Sequence, residues 1–398
     1  MRHHRTDAAP GSTSTLRTAN QQRVLDVLRS GSAPGPTADL TGGDFTQAEL
    51  ARVTGLAPAT VSNIVRELVA SGLVETEAGS GRRGSAIRLA RAAGIVGGVD
   101  FGHSHVAVAI GDLTGRLLAE ERQPLEQGHA HIEALRLASS MLDAMTSKFD
   151  PAGPIRHIGL GLPAPVTNDV VRSSAIFPGW DGVNTRAAAE EHFGIPVHVE
   201  NDANLGALAE HRQGVARGHD SSVFVKISSG VGAGIIIHNE LFHGSGGTAG
   251  EIGHLTLDDA GPLCRCGSRG CLEAYASTGT VLAMMAGQLP DATLDDLLDA
   301  ARTGNVSAQR ALEDAGLHLG KGIASVVNLI NPSVVVIGGD MARAGDLLLE
   351  SARIGLRRHA LDSVALTPIL ASELGERASL VGAVLLAAER TVLVVEHA

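Results

Sequence analysis

Aromatic residues are scarce: seven Phe, one Trp and one Tyr amount to 2% of 398 residues. A single-strand nucleic-acid platform needs several rings on which bases stack, so the composition argues against one. Cysteine is rarer still, with three in the chain, all between positions 264 and 271. No apolar stretch follows Met1, and no run approaches the roughly 20 residues needed to span a bilayer. No membrane partner is expected. The expected location is cytoplasmic, where reduced thiols favour metal over disulfide.

What is present is unevenly distributed. The chain carries a net charge of −11, yet residues 1–92 hold eleven arginines against eight carboxylates, a net of +3, which leaves −14 on the other 306 residues. A basic head on an acidic body suggests that the head meets nucleic acid. The length itself suggests two or three domains.

The first fifteen residues, rich in His, Ser, Thr, Gly and Pro, hold too little apolar surface to order themselves and are expected to form a mobile tail. Residues 16–92 then read as one small domain. A helix is expected from Thr18 to Ser30, with Val24, Leu25, Val27 and Leu28 on its apolar face. Gly31 to Asp44 reads as loop. Thr46 and Glu49 form a capping box for a short helix, with Leu50 and Val53 inward and Gly55 at its end. Pro58 opens a third helix, whose stripe is Val61, Ile64, Val65 and Leu68. Its other face presents Thr60, Ser62, Asn63 and Arg66, groups suited to base edges and phosphates. A hairpin, Leu73 to Thr76 and Ala86 to Leu89, follows with Arg82 and Arg83 at its tip. This order is that of a winged helix-turn-helix. The candidate DNA-contacting set is Thr46, Gln47, Thr60, Ser62, Asn63, Arg66, Arg82 and Arg83. Three short helices can also serve as a protein-interaction module.

The stretch EIGHLTLDDAGPLCRCGSRGCLE, residues 251–273, gathers His254, Cys264, Cys266 and Cys271 with Glu251 and Glu273. Three thiolates and one imidazole match a closed tetrahedral zinc site with no position for a catalytic water, so one structural zinc per chain is expected. Buried free thiols are the alternative, but CxCxxxxC with Gly267 and Gly270 is poor core-forming sequence.

This signature resembles that of the ROK family of bacterial sugar kinases and sugar-responsive repressors, and the resemblance extends over residues 93–398. The winged helix-turn-helix matches the head that the family's repressors add. The implied fold class is α/β: an N-terminal winged helix-turn-helix followed by a two-lobed, actin-like body. Its duplication is visible as GIVGGVD, a turn at FGHSH and VAVAI, repeated later as SSVFVKI, a turn SSGVGAG and IIIHNEL. Ala378 to Thr391 reads as a last helix closing on the first lobe through Leu380, Val384 and Leu385.

The resemblance also implies site residues. Asn201 and Asp202 match the positions that bind a hydroxyl and act as general base, and Glu251, His254 and Glu273 complete an effector-binding set. His254 would give one ring nitrogen to zinc and the other to the ligand. Asp202 and Asn204 can equally cap the helix that follows. The kinase loops are altered. Where kinases read DxGGT, this chain has Asp100, Gly102, His103 and Ser104; Ser228 and Ala233 stand in the second loop, Asp340 follows Gly339, and Ala175 and Ile176 precede PGW. Efficient ATP-dependent phosphorylation is therefore expected to be lost, with Asp202 a vestigial base. The reading is a sugar-responsive transcriptional regulator, a repressor of double-stranded DNA operators, whose effector is a sugar or sugar phosphate and whose state is a homo-oligomer, dimer or tetramer. The alternatives are a ROK sugar kinase with a vestigial head, and a docking platform for another protein.

Overall fold

The computed structural model describes residues 13–30, 45–77, 85–149, 153–171 and 176–393. Helix α1 (Thr13–Ser30) begins five residues before the expected Thr18 and so shortens the expected tail. Extending a nucleated helix by one turn gains about one hydrogen bond per residue fixed. Helices α2 (Gln47–Thr54) and α3 (Pro58–Ala70) follow as the sequence suggests. Thr46 N–H donates to Glu49 Oε2 at 2.8 Å, and Glu49 N–H donates to Thr46 Oγ1 at 3.2 Å, completing the capping box. Val61, Ile64, Val65 and Leu68 are buried; Val53 is half-buried. Strands β1 (Val74–Glu77) and β2 (Ala86–Leu89) pair antiparallel, and Phe45 bridges to Ile87 as a third short strand. The loop at 31–44 and the wing tip with Arg82 and Arg83 lie outside the described residues.

The body consists of two lobes with the same strand plan. In the first, β3 (Ile95–Phe101), β4 (His105–Asp112) and β5 (Leu117–Pro124) form an antiparallel meander. After α4 (His131–Thr146), β6 (Ile155–Leu162) pairs parallel to β3. A small hairpin, β7 (Val166–Thr167) and β8 (Val170–Val171), and α5 (Thr185–Phe193) lead to β9 (Val197–Asn201), parallel to β6. The sheet order is β5-β4-β3-β6-β9.

Helix α6 (Asp202–Arg212) crosses to the second lobe, where β10 (Ser222–Ile227), β11 (Val231–Ile237) and β12 (Glu240–Leu241) repeat the meander. Helices α7 (Glu273–Ala276), α8 (Thr278–Met285), α9 (Leu294–Arg302) and α10 (Val306–Ile330) precede β13 (Val334–Gly338). Helix α11 (Asp346–His359) then leads to β14 (Ile369–Ala371), and the order is β12-β11-β10-β13-β14. The duplication read from the sequence is thus a duplication of topology, antiparallel strands on one side of the first strand and parallel strands on the other.

One turn is shorter than expected. Only Ser228–Gly230 separates β10 from β11, and Gly232 and Gly234 lie inside β11. Gly234 sits there because α6 packs against the strand: an added Cβ would lie 2.5 Å from both Ala203 O and the Ala207 Cβ. The last helix, α12 (Ala378–Arg390), returns to the first lobe. Leu380 and Val384 face the core it shares with β3 and β4, whereas Leu385 packs against Leu205 and Leu208 of α6.

Candidate functional site

A cleft between the lobes is lined by Asn201, Asp202, Glu251, His254 and Glu273, so the sequence-predicted effector set is brought together. Each residue is positioned differently. Asn201 ends β9 and is the N-cap of α6, its Oδ1 accepting from Ala203 N–H at 2.8 Å and Asn204 N–H at 3.3 Å. The cap is therefore Asn201, and the expectation that Asp202 and Asn204 cap this helix is corrected. Asn204 is instead buried, donating to Glu200 Oε1 at 2.8 Å. Capping takes one amide oxygen of Asn201 and leaves Asp202, at the first helical position, free to face the second lobe.

There it meets Lys226 of β10, whose Nζ donates to Asp202 Oδ2 at 2.8 Å and to Ser379 Oγ at 2.9 Å. Burial works against the ammonium, but Asp202 and Asp100 outweigh it and the Lys226 pKa is raised. Asp100 is buried near this pair; burial, and then the neighbouring Asp202, against the pull of Lys226, push its carboxyl up to about 6. Its Oδ1 has no hydrogen-bond partner.

Glu251 caps and His254 ends a single 3-10 turn, Ile252–His254, which sets both side chains on the cleft wall. Burial, followed by repulsion from Asp202 and Glu273, pushes the Glu251 carboxyl up to about 7. Glu273 opens α7 and is almost wholly buried. It is held by a two-pronged ion pair, with Arg265 Nε on Oε1 at 2.7 Å and Arg265 Nη2 on Oε2 at 2.8 Å, and it accepts Val231 N–H at 3.1 Å. Arg265 was not among the sequence-predicted residues, and neither was Lys226. A lone lysine inside the apolar run SVFVKI was the available signal, because a buried ammonium needs an anion.

The turn of the first lobe holds two rings. His103 lines the cleft and meets the edge of Phe177, centroids 5.6 Å apart. His105 closes over Gly102, where an added Cβ would lie 2.1 Å from its Cε1. Burial first, then Arg122 and Lys226, hold the His105 pKa down to about 3, so the ring is a neutral filler. Trp180 is fully buried in the first lobe's core and stacks on Phe177, one ring removed from His103. Ile176 lines the cleft; Ala175 lies outside the described residues.

Beside the cleft, one ligand atom each from His254, Cys264, Cys266 and Cys271 lies within 4.8 Å of the others. Cys264 Sγ is 3.8 Å from His254 Nδ1 and Cys266 Sγ is 3.7 Å from Cys271 Sγ. A tetrahedron with zinc–sulfur bonds of about 2.3 Å has edges of about 3.8 Å, so the donor set fits such an ion. Burial, and then Cys266 and Cys264, push the Cys271 thiol up to about 12, while the backbone N–H of Ser268 holds Cys266 below its ordinary value. The loop holds its shape through Gly270, whose φ of 63° and whose contact with Asp258 O, 1.7 Å from a notional Cβ, admit no side chain. With Nδ1 turned to the thiols, Nε2 of His254 is the ring nitrogen left for the cleft.

On the head, Asn63 and Arg66 of α3 and Gln47 of α2 are exposed, while Thr60 and Ser62 are half-buried. The Thr46 hydroxyl is committed to the capping box, donating to Glu49 Oε2 at 2.9 Å. Among the described residues no helix is long and apolar enough to cross a membrane.

The ROK family model matches residues 96–390, and a MarR family model matches residues 40–84. The chain belongs to the ROK family. It is 29% identical over 350 residues to the xylose repressor of Bacillus subtilis, covering 86% of this chain and 91% of that one. It is 31% identical over 312 residues to a glucokinase of Thermotoga maritima, covering 74% of this chain and 97% of the other. Among solved structures, a ROK family transcriptional regulator, a homologue of the Escherichia coli MLC protein, superposes with a TM-score of 0.74 at 25% identity, covering 93% of this chain and 95% of that one.

Proposed function

We propose that this protein is a sugar-responsive transcriptional repressor, in which the winged head binds an operator and the cleft binds a sugar or sugar phosphate that changes this binding. The observation that carries the reading is one chain joining a winged helix-turn-helix to a cleft rich in hydroxyl acceptors. A regulator matches both parts, whereas the glucokinase match covers a share close to that of the body alone. The name of the xylose repressor supports a carbohydrate as effector.

Within the cleft, Asp202 and Glu251 would accept effector hydroxyls, and His254 Nε2 and the Asn201 amide would add polar contacts. Glu273 acts together with Arg265, so that edge of the cleft can donate as well as accept. A zinc ion on His254, Cys264, Cys266 and Cys271 would supply a fixed scaffold, its four protein ligands leaving no open position. Phosphoryl transfer is lost on this reading: the ammonium of Lys226 occupies the carboxylate of Asp202, and His103 and His105 fill the first-lobe turn. An effector can act only by binding two arrangements of the molecule unequally. A cytoplasmic homo-oligomer on pseudo-palindromic half-sites fits the winged head, with Asn63 and Arg66 of α3 serving sequence reading and Arg82 and Arg83 supplying phosphate or minor-groove contact.

Footprinting of the region upstream of its own gene tests the DNA half, and an unprotected promoter at moderate salt would remove it. Calorimetry across sugars and sugar phosphates tests the cleft, with heat that vanishes in Glu251→Ala as the expected result. A coupled ADP-release assay across the same sugars should stay at background; robust turnover would establish the kinase reading instead.

A further inference from the structure

The polar cluster at the cleft floor and the DNA-binding head are joined by one helix. At the N-terminal end of α12, Ser379 Oγ receives Lys226 Nζ at 2.9 Å and itself donates to Asp202 O at 2.9 Å. Lys226 in turn holds Asp202 Oδ2 at 2.8 Å. Three elements, β10 of the second lobe, α6 of the crossing and α12, are thereby tied around one carboxylate that the cleft exposes.

The far end of α12 packs against the head. Ala387 and Ala388 belong to the same continuous apolar core as Val24, Leu25 and Leu28 of α1. Arg29, the penultimate residue of α1, donates from Nη2 to Thr391 O at 2.8 Å and from Nη1 to Glu389 O at 3.4 Å. These are carbonyls at a helix C-terminus, which have no partner within their own helix and which attract a cation. The 13 residues of α12 make a rod of about 20 Å between the two ends.

The middle of the rod leaves little slack. A Cβ at Gly382 would lie 2.0 Å from Leu205 O, and a Cβ at Gly159 would lie 2.0 Å from Ala383 O. Backbone therefore rides on backbone along both α6 and β6. Packed surfaces at this separation pass on a displacement of the first turn instead of absorbing it by repacking side chains.

We infer that α12 couples the cleft to the head: a ligand that hydrogen-bonds Asp202 competes with Lys226, the Lys226–Ser379 tie readjusts, and the helix carries that change to Arg29 and the core of α1. Ser379, Lys226 and Arg29 are positioning residues in this scheme, and none needs to touch DNA. The coupling takes its meaning from the reading of the cleft as the effector site, but the tie itself can be cut without any effector.

Hydrogen exchange of the full-length protein, read by mass spectrometry on Ser379→Ala and separately on Lys226→Met, is the test. We expect exchange at the first turn of α12 and at the amides of Val24–Arg29 to rise together by about tenfold, with α9 and α10 unchanged. The reverse cut, Arg29→Gln, should loosen the first turn of α12, because coupling between two sites is reciprocal. Loosening of α12 with α1 unaltered would overturn the proposal. So would a uniform rise throughout the chain, which would mark general destabilisation, or failure of both variants to loosen α12. Silence of every sugar in calorimetry would end the effector reading and leave these results standing.

Discussion

The two lobes share a strand plan, yet their equivalent turns have been put to different uses. Between β3 and β4 the turn at Gly102–Ser104 is packed with neutral rings, His103 against Phe177 and His105 over Gly102. Between β10 and β11 the turn at Ser228–Gly230 is bordered by ions, with Lys226 on Asp202 and Arg265 on Glu273. Topology is therefore copied where the backbone must pack, while the exposed ends of the same strands diverge freely. One turn has become filler. The other has become an adjustable set of ion pairs beside the group formed by His254 and the three cysteines.

The largest expected effect breaks the second-lobe side alone. Cys266→Ser should reduce zinc from one per chain to near zero by elemental analysis and cost more than about 3 kcal/mol in denaturant unfolding, because the ion's binding energy is folding energy for this loop. Any loss of effector response would follow from the released Glu251, His254 and Glu273. The first lobe should keep its own hydrogen-exchange protection.

Next come the two carboxylates that face Lys226. Asp202→Asn leaves a half-buried ammonium without its directly bonded anion and should cost about 2 kcal/mol. Asp100→Asn should instead raise stability by about 1 kcal/mol at pH 7, since the ionised form is enclosed with one oxygen unbonded. The sign follows from linkage: with a folded pKa of about 6, raised above its ordinary value of 3.8, Asp100 binds more protons folded than unfolded between those values. Its contribution therefore falls as pH rises from about 4 to about 6 and is constant above. Urea titrations at several pH values should show that slope flattened in Asp100→Asn. An unchanged slope would place the proton elsewhere.

Smaller differences should separate the turns themselves. Gly102→Ala must push aside the half-buried imidazole of His105 and should cost about 2 kcal/mol. Gly230→Ala meets Arg265 Nη2 at 2.5 Å and Glu273 Oε2 at 2.8 Å, where the arginine end can swing away, and should cost about 1 kcal/mol. Equal costs would mean that the two turns are packed alike. Smallest is an optical effect: Trp180 is shielded behind Phe177, so a ligand in the cleft should shift its emission by only a few per cent unless His103 moves.

Much of the site was legible before any coordinates, because its residues lie close together in the chain. His254 and the three cysteines span a single loop, and Asn201 and Asp202 adjoin at the end of a strand. The capping box at Thr46, the proline-led α3 and the duplicated strand-turn-strand units are local patterns of the same kind. Two of the residues that were missed act across long separations, Lys226 meeting Ser379 and Arg29 meeting Thr391, whereas Arg265 lies eight residues from Glu273, hidden between two of the cysteines.

The amino-acid order alone thus determined a winged head, a duplicated α/β body and a loop that gathers three thiols and an imidazole, since helix periodicity, turn chemistry and residue spacing are properties of neighbouring residues. Tertiary structure alone decided that Asp202 and Glu273 carry internal counter-ions, Lys226 and Arg265, and that the cleft floor is tied to the head through α12. A buried charge takes whichever partner the packed fold brings within about 3 Å, and backbone contacts of the Gly382 kind arise only when distant segments have been brought against one another.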